Sequence, residues 1–489
     1  MRLARTTGCR SFMVAALLAT ATWAAQSTGD REAAALVEQG KFEQAVPILE
    51  TILKQSPGDL KARNLLGIAL SQMGRPKEAQ AHFEMVLKVT PNDPTAHAGM
   101  AEIAFAKGRY ADTVSHFEKS GGLYLTVPEY TLHYAQSCIG ANKPGPAAEA
   151  LKRLPAGADP HAHFEAGVML AKLEQFAAAA QHFKLAENGA DGPYDAGYNL
   201  VLAYIKSKQP ALAIEAGERL LGRGFKKAEL YNLLSQAYEQ SGRTKDAYNA
   251  LRTATQLDPA DEGNYLDLIS LCLDHQNWDL SLEIAGIALA KTPNSYRLHL
   301  QRGAVLAMRT QYEEAEQEFV AATRAAPEVA LPYVSLALVQ MQMNRLQEAI
   351  GLLRERRKAA PKDYLVNWFL AEALNREGVS PGTPTEEEAV GALRQAVASN
   401  AKGEPARVLL GRLLLKRGET DQAIEQLTRA LALDPEDSSA TYQLAQAYRK
   451  KGDSKRAADL FAKVSQEKAE ARDQFTQRYL VRIIREGTQ

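Results

Sequence analysis

The chain has 489 residues, 46% of them apolar, 24% charged and 7% aromatic, with 58 Lys plus Arg against 58 Asp plus Glu. Such a composition excludes an intrinsically disordered polymer. A formal charge of zero supplies no long-range field for gathering polyanions, so nucleic acid is not an expected partner.

Residues 1–25 differ from all that follows. Arg2, Arg5 and Arg10 form a basic start, Ser11 to Leu18 opens an uncharged stretch, and small residues follow at Ala19, Ala21, Ala24 and Ala25. This pattern predicts a secretory signal peptide cleaved after Ala21 or Ala24. The 15 uncharged residues from Ser11 to Ala25 fall short of the roughly 20 that a spanning helix needs. The mature chain is therefore expected to be exported, periplasmic or secreted, with no stable membrane insertion after cleavage.

From residue 26 onward one phrase recurs. GKFEQA ends at Ala45, GRPKEA at Ala79, GRTKDA at Ala247, GETDQA at Ala423 and GDSKRA at Ala457, with looser versions at Thr113, Ala147, Ala179, Ala213, Ser281, Ala315, Ala349 and Ala389. Ten of the twelve intervals are 34 residues; the others are 32, from Ala147 to Ala179, and 40, from Ala349 to Ala389. Twelve residues before the anchors a second small residue recurs, as at Gly67, Gly167, Gly303 and Gly411, where two helices can approach closely. Twelve residues after them stand Pro57, Pro91, Pro259, Pro293, Pro327, Pro361 and Pro435, each placed to stop a helix. Each unit reads as helix, turn, helix, turn, with units starting near 26, 60, 94, 128, 160, 194, 228, 262, 296, 330, 364, 404 and 438.

The pattern is weakest from about 110 to 226, where Gly121-Gly122, Pro144-Gly145-Pro146 and Gly222 to Gly224 loosen the turns. Six extra residues near 378–388 read as one lengthened turn. The array is expected to end near 471, and over 472–489 Phe475, Tyr479 and Ile483 give a helix an apolar face suited to capping the last repeat. Cys138 and Cys272 share one slot of the repeat, four repeats apart, and read as core residues.

Catalytic and metal motifs are weak. Gly378 to Gly382 (GVSPG) matches a nucleophile elbow, but that chemistry needs a strand before Ser380, and a helix is expected there. His82, His116 and His182 share one slot without a third ligand at zinc spacing. The basic run Arg354 to Lys358 reads as a solvated face. No enzyme, cofactor or metal site is expected.

These anchors resemble the tetratricopeptide repeat (TPR) family, in Leu66-Gly67, Leu410-Gly411 and Leu444-Ala445, in Phe83, Phe117, Phe183, Phe319 and Phe461, and in Ala254, Ala288, Ala322 and Ala430. The resemblance implies an all-α fold, a right-handed α-solenoid of about 13 helix-turn-helix repeats over 26–471. It also implies a concave groove lined by the first helix of each unit, whose positions 2, 5, 9, 12 and 13 face a protein or peptide ligand. Carried over, these positions give Asn64, Phe164, Tyr198, Asn232, Trp368, Glu372 and Asn375 as partner-binding candidates; aliphatic residues such as Leu132, Leu266 and Leu300 read as packing between repeats. The expected function is a non-enzymatic interaction scaffold or adaptor of the bacterial cell envelope. The alternative is an accessory subunit of a machine that makes or exports envelope polysaccharide or appendages.

Overall fold

The computed structural model describes residues 28–187, 189 and 192–466, and among these every regular element is an α-helix. The expected signal peptide at 1–25 and capping helix at 472–489 lie outside the described residues. The chain divides after Ala247 into two compact units. The first pairs α1 (Thr28–Glu38) with α2 (Phe42–Gln55), α3 (Leu60–Gln72) with α4 (Pro76–Val89) and α5 (Pro94–Ala106) with α6 (Tyr110–Glu118). After the short α7 (Leu123–Thr126) come α8 (Pro128–Gly140) with α9 (Pro144–Lys152), α10 (Pro160–Lys172) with α11 (Phe176–Ala186), α12 (Pro193–Lys206) with α13 (Pro210–Gly222), and α14 (Ala228–Gln240). Helix α15 (Thr244–Leu257) runs across the division. The second unit pairs α16 (Glu262–Asp274) with α17 (Trp278–Lys291), α18 (Tyr296–Met308) with α19 (Tyr312–Ala325) and α20 (Ala330–Gln342) with α21 (Leu346–Ala359). It continues with α22 (Tyr364–Gly378) and α23 (Pro384–Ser399), α24 (Glu404–Arg417) and α25 (Thr420–Leu433), and α26 (Ser438–Lys451) and α27 (Ser454–Gln466). Each unit is an α-solenoid of two-helix repeats, the fold class that the sequence predicts.

The connections have a chemical logic. Proline cannot continue a helix, and two residues after it an aspartate caps the next one: Pro57 and Asp59, Pro91 and Asp93, Pro361 and Asp363, Pro435 and Asp437. Asp93 Oδ1, for example, accepts from Ala96 N at 2.8 Å and also from Asn64 Nδ2 at 2.9 Å, which ties α5 to α3. Within a pair, the turn after the first helix needs a left-handed residue. Gly40, Gly74, Gly108 and Gly242 supply it, and Asn142, Glu174, Lys208, Gln276, Thr310 and Asn344 adopt it without being glycine.

The core is a stack of rings laid on small residues. Phe83, Phe117, Phe183 and Phe319 of the second helices are wholly buried. A β-carbon on Gly67 would lie 2.7 Å from the Phe83 ring, and one on Gly167 2.7 Å from Phe183. Cys138 and Cys272 are free and buried.

Two irregularities differ from the sequence expectation. Of the six extra residues, four lengthen the helices, since α22 has 15 residues and α23 has 16 against 13 and 14 in α20 and α21, and two lengthen the turn between them. The start of α23 is fixed by Thr383 Oγ1, which accepts from Glu386 N at 3.3 Å, and by buried Glu386, whose Oε2 accepts from Gly382 N at 2.7 Å. This reciprocal cap, with Pro384 in the first turn, holds the extended helix. In the first unit, α6 and α9 have only nine residues each.

Successive first helices touch each other directly: α3 with α5, α8 with α10 and α12 with α14 in the first unit, and α16 with α18, α18 with α20, α20 with α22 and α24 with α26 in the second. Among the described residues, successive second helices make no comparable contacts.

Candidate partner-binding face

The seven residues expected on the partner face divide by burial. Asn64 is 8% exposed, and its amide is spent on Asp93. Phe164, on α10, stands edge-on to Phe183 at 5.8 Å between ring centroids. Trp368, on α22, is 2% exposed and packs against Phe369 at 4.5 Å and Tyr364 at 5.8 Å. Phe164 and Trp368 are thus both buried, at 7% and 2% exposure, against rings of their own repeat. Leu132, Leu266, Leu300 and Val334 occupy the same slot and are also buried.

Tyr198, Asn232, Glu372 and Asn375, on the first helices, are half-buried, although the Asn232 Oδ1 itself is buried. Glu372 accepts from Arg376 Nε at 2.9 Å, one turn along α22. The structure brings Glu372 and Asn375 together on α22. Tyr198 and Asn232 lie on α12 and α14, which contact each other.

The histidines form pairs that link the two helices of a repeat. His97 Nδ1 lies 3.0 Å from His116 Nδ1, and His163 Nδ1 lies 2.9 Å from His182 Nδ1. In each pair the first-helix histidine turns its Nε2 toward a backbone oxygen, that of Pro91 or Ala156, and donates there. Its Nδ1 is then left to accept from the partner ring. Burial, reinforced by His163, pushes the pKa of His182 down to about 4. In the equivalent slot of α18, His299 Nδ1 donates to Glu318 Oε2 at 2.6 Å, and this hydrogen bond raises its pKa above the ordinary histidine value. His82 and His116 do not pair. Among the described residues no group of three or more His, Cys, Asp or Glu could hold a metal ion.

Ser380 sits in the turn between α22 and α23, where its carbonyl accepts from Thr383, with a helix on either side. The run Arg354 to Lys358 is more engaged than a solvated face. Arg354 forks onto Glu388, Arg356 donates to the carbonyls of Pro327 and Glu328, and its guanidinium lies 5.1 Å from the Tyr333 ring centroid. At the start of α24, burial and the nearby Asp437 raise the pKa of Glu404 to about 8.

Models of the tetratricopeptide repeat match residues 36–103, 228–261, 266–330 and 408–472. The matched segments are tetratricopeptide repeats. The chain is similar to solved structures at low identity. The crystal structure of yeast Tom70 gives a TM-score of 0.42 at 18% identity, covering 88% of this chain and 95% of that one. The Cut9 structure from the APC/C Cut9-Hcn1 hetero-tetramer gives 0.36 at 15%, covering 88% and 98%. The structure of Pseudomonas aeruginosa pilF gives 0.36 at 22%, covering 44% and 94%. No curated protein matches the chain. Among the described residues no helix is long and apolar enough to cross a membrane.

Proposed function

We propose that this chain is a non-enzymatic interaction scaffold of the bacterial cell envelope, exported by its N-terminal segment, which holds a peptide or partner segment against its first helices. The observation that carries the reading is the asymmetry of packing. Most neighbouring first helices within a unit contact one another, whereas among the described residues neighbouring second helices make no comparable contact, which is the packing expected of a unit that curves toward its first-helix side. A surface of that kind offers half-buried polar side chains such as Tyr198, Asn232 and Asn375 to an extended or helical segment. Export is supported by Arg2, Arg5 and Arg10 ahead of the uncharged stretch from Ser11.

Two measurements test this. Fractionation with N-terminal sequencing should find the chain outside the inner membrane and starting at Thr22 or Ala25; a cytoplasmic chain that keeps Arg2 contradicts export. Affinity capture with the mature chain should recover defined proteins that Tyr198→Ala plus Asn232→Ala releases. Capture unchanged by these substitutions moves the partner off this face.

A further inference from the structure

Between α24 and α26 lies an open pocket of about 540 Å³. Arg412, Leu415 and Lys416 of α24 face Gln446, Arg449 and Lys450 of α26 across it. The two triplets are 34 residues apart, so successive first helices present the same three slots to the same space. No carboxylate lines the pocket, and among the described residues none of its four cations is ion-paired. Their neighbours behave differently: Arg394 and Arg417 reach Glu419, Lys451 reaches Asp421, and Arg429 reaches Glu425.

Two of the cations are also held in place. Lys450 Nζ donates to the Leu415 carbonyl at 2.9 Å, and Arg449 Nη2 donates to Gln446 Oε1 at 3.1 Å. Arg412 is half-buried, and its Nε is buried with no hydrogen-bond partner. Four cations around one open space with no carboxylate among its lining residues favour an anionic ligand.

We propose that this pocket binds an acidic segment of a partner protein, with Asp or Glu side chains lying across α24 and α26. The proposal rests on the scaffold reading and names the chemistry of one contact. Packed helices stand roughly 8–10 Å apart. Carboxylates two or three residues apart on an extended chain, at about 3.3 Å per residue, bridge that distance. The pocket contains no aromatic ring, so a nucleobase finds nothing to stack on. The chain's own residues 467–489 carry five cations (Lys468, Arg472, Arg478, Arg482, Arg485) against four carboxylates (Glu467, Glu470, Asp473, Glu486) and do not complement the pocket.

The test is fluorescence anisotropy on the full chain with a labelled ten-residue Asp/Glu-rich peptide and its Asn/Gln counterpart. The acidic peptide should bind in low salt and weaken as salt rises, and the amide counterpart should bind at least tenfold more weakly. Lys416→Gln with Arg449→Gln should lower affinity for the acidic peptide at least tenfold. Both residues are exposed, and circular dichroism checks the fold; Lys450→Gln alone provides a second, milder variant. Equal affinity for the two peptides overturns the proposal, as does binding untouched by either variant. Tighter binding of a single-stranded oligonucleotide, or displacement of the peptide by equimolar pyrophosphate, also overturns it. Should the peptide fail while captured partners persist in the variants, the pocket is wrong and the scaffold stands. Should the unmodified chain capture nothing, the scaffold reading fails.

Discussion

The ring of Phe319 fills the space that a β-carbon on Gly303 would need, with Cε1 only 2.6 Å from that position. The residues are 16 apart, one on each helix of a pair, and Leu427 rests on Gly411 in the same way, also at 2.6 Å. The recurrent small residue is thus the seat of the second helix's largest side chain, and its size sets how closely the two helices approach.

Gly303→Ala should therefore destabilise the chain by about 1–3 kcal/mol through overpacking, although alanine is the better helix former. Gly391, also helical and exposed, has nothing within 4 Å of its would-be β-carbon, so Gly391→Ala should stabilise by up to about 1 kcal/mol. Opposite shifts of the urea midpoint support the account, and two shifts of the same sign would count against it.

Thr310 closes the turn after α18 with φ of 61°, where Gly40, Gly74, Gly108, Gly242, Gly418 and Gly452 stand in other repeats. A β-branched residue in that region costs roughly 1–2 kcal/mol, part of which glycine returns as unfolded-chain entropy. Thr310→Gly should raise stability by about 1 kcal/mol, and Gly242→Thr should lower it by a similar amount. A thermal scan of both variants decides the matter.

Much of the repeat was legible because a small anchor, a proline and an aromatic ring leave marks at a fixed interval. The Asp that caps two residues after the proline carries an equally readable signal, as in Pro57-Gly58-Asp59 and Pro435-Glu436-Asp437. The extra residues near 380 divide between turn and helices because a Thr-x-x-Glu cap lets added residues lengthen helices as readily as a turn. The candidate site was less legible. Position 5 of a first helix is half-buried at Asn232 and buried at Trp368, and only packing decides which environment each receives. The basic slots at Arg412 and Arg449 were missed because their distinction is the absence of nearby carboxylates, which is a property of the fold.

The histidine pair on α10 and α11 should make that region acid-sensitive. In the folded chain the pKa of His182 is depressed to about 4, below the ordinary value of 6.5, so between these pH values the unfolded chain binds the extra proton. Stability is full above about pH 6.5 and falls as pH drops toward 4, by roughly 2–3 kcal/mol at the lower end. His299, with its raised pKa, acts in the opposite sense: its contribution is present below pH 6.5 and lost as pH rises through its folded value. Hydrogen exchange at pH 5 and pH 7, corrected for intrinsic rates, should show α10 and α11 losing protection in acid while α18 and α19 do not. Parallel changes in both regions would remove the histidines as the cause.

Trp368 provides the sharpest separation of packing from recognition. At 2% exposure between Tyr364 and Phe369 it contributes buried area to the core, and truncating a buried tryptophan costs about 3–5 kcal/mol. Trp368→Ala should thus lower the urea midpoint and expose α22 and its neighbours to hydrogen exchange. Asn375→Ala, on the same helix but half-buried, should leave stability within about 0.5 kcal/mol. If Trp368→Ala instead leaves stability intact and abolishes partner capture, the side chain reaches the surface in solution and belongs to the binding face. If capture weakens only in proportion to the unfolded fraction, its role is to support the first helix that carries Glu372 and Asn375.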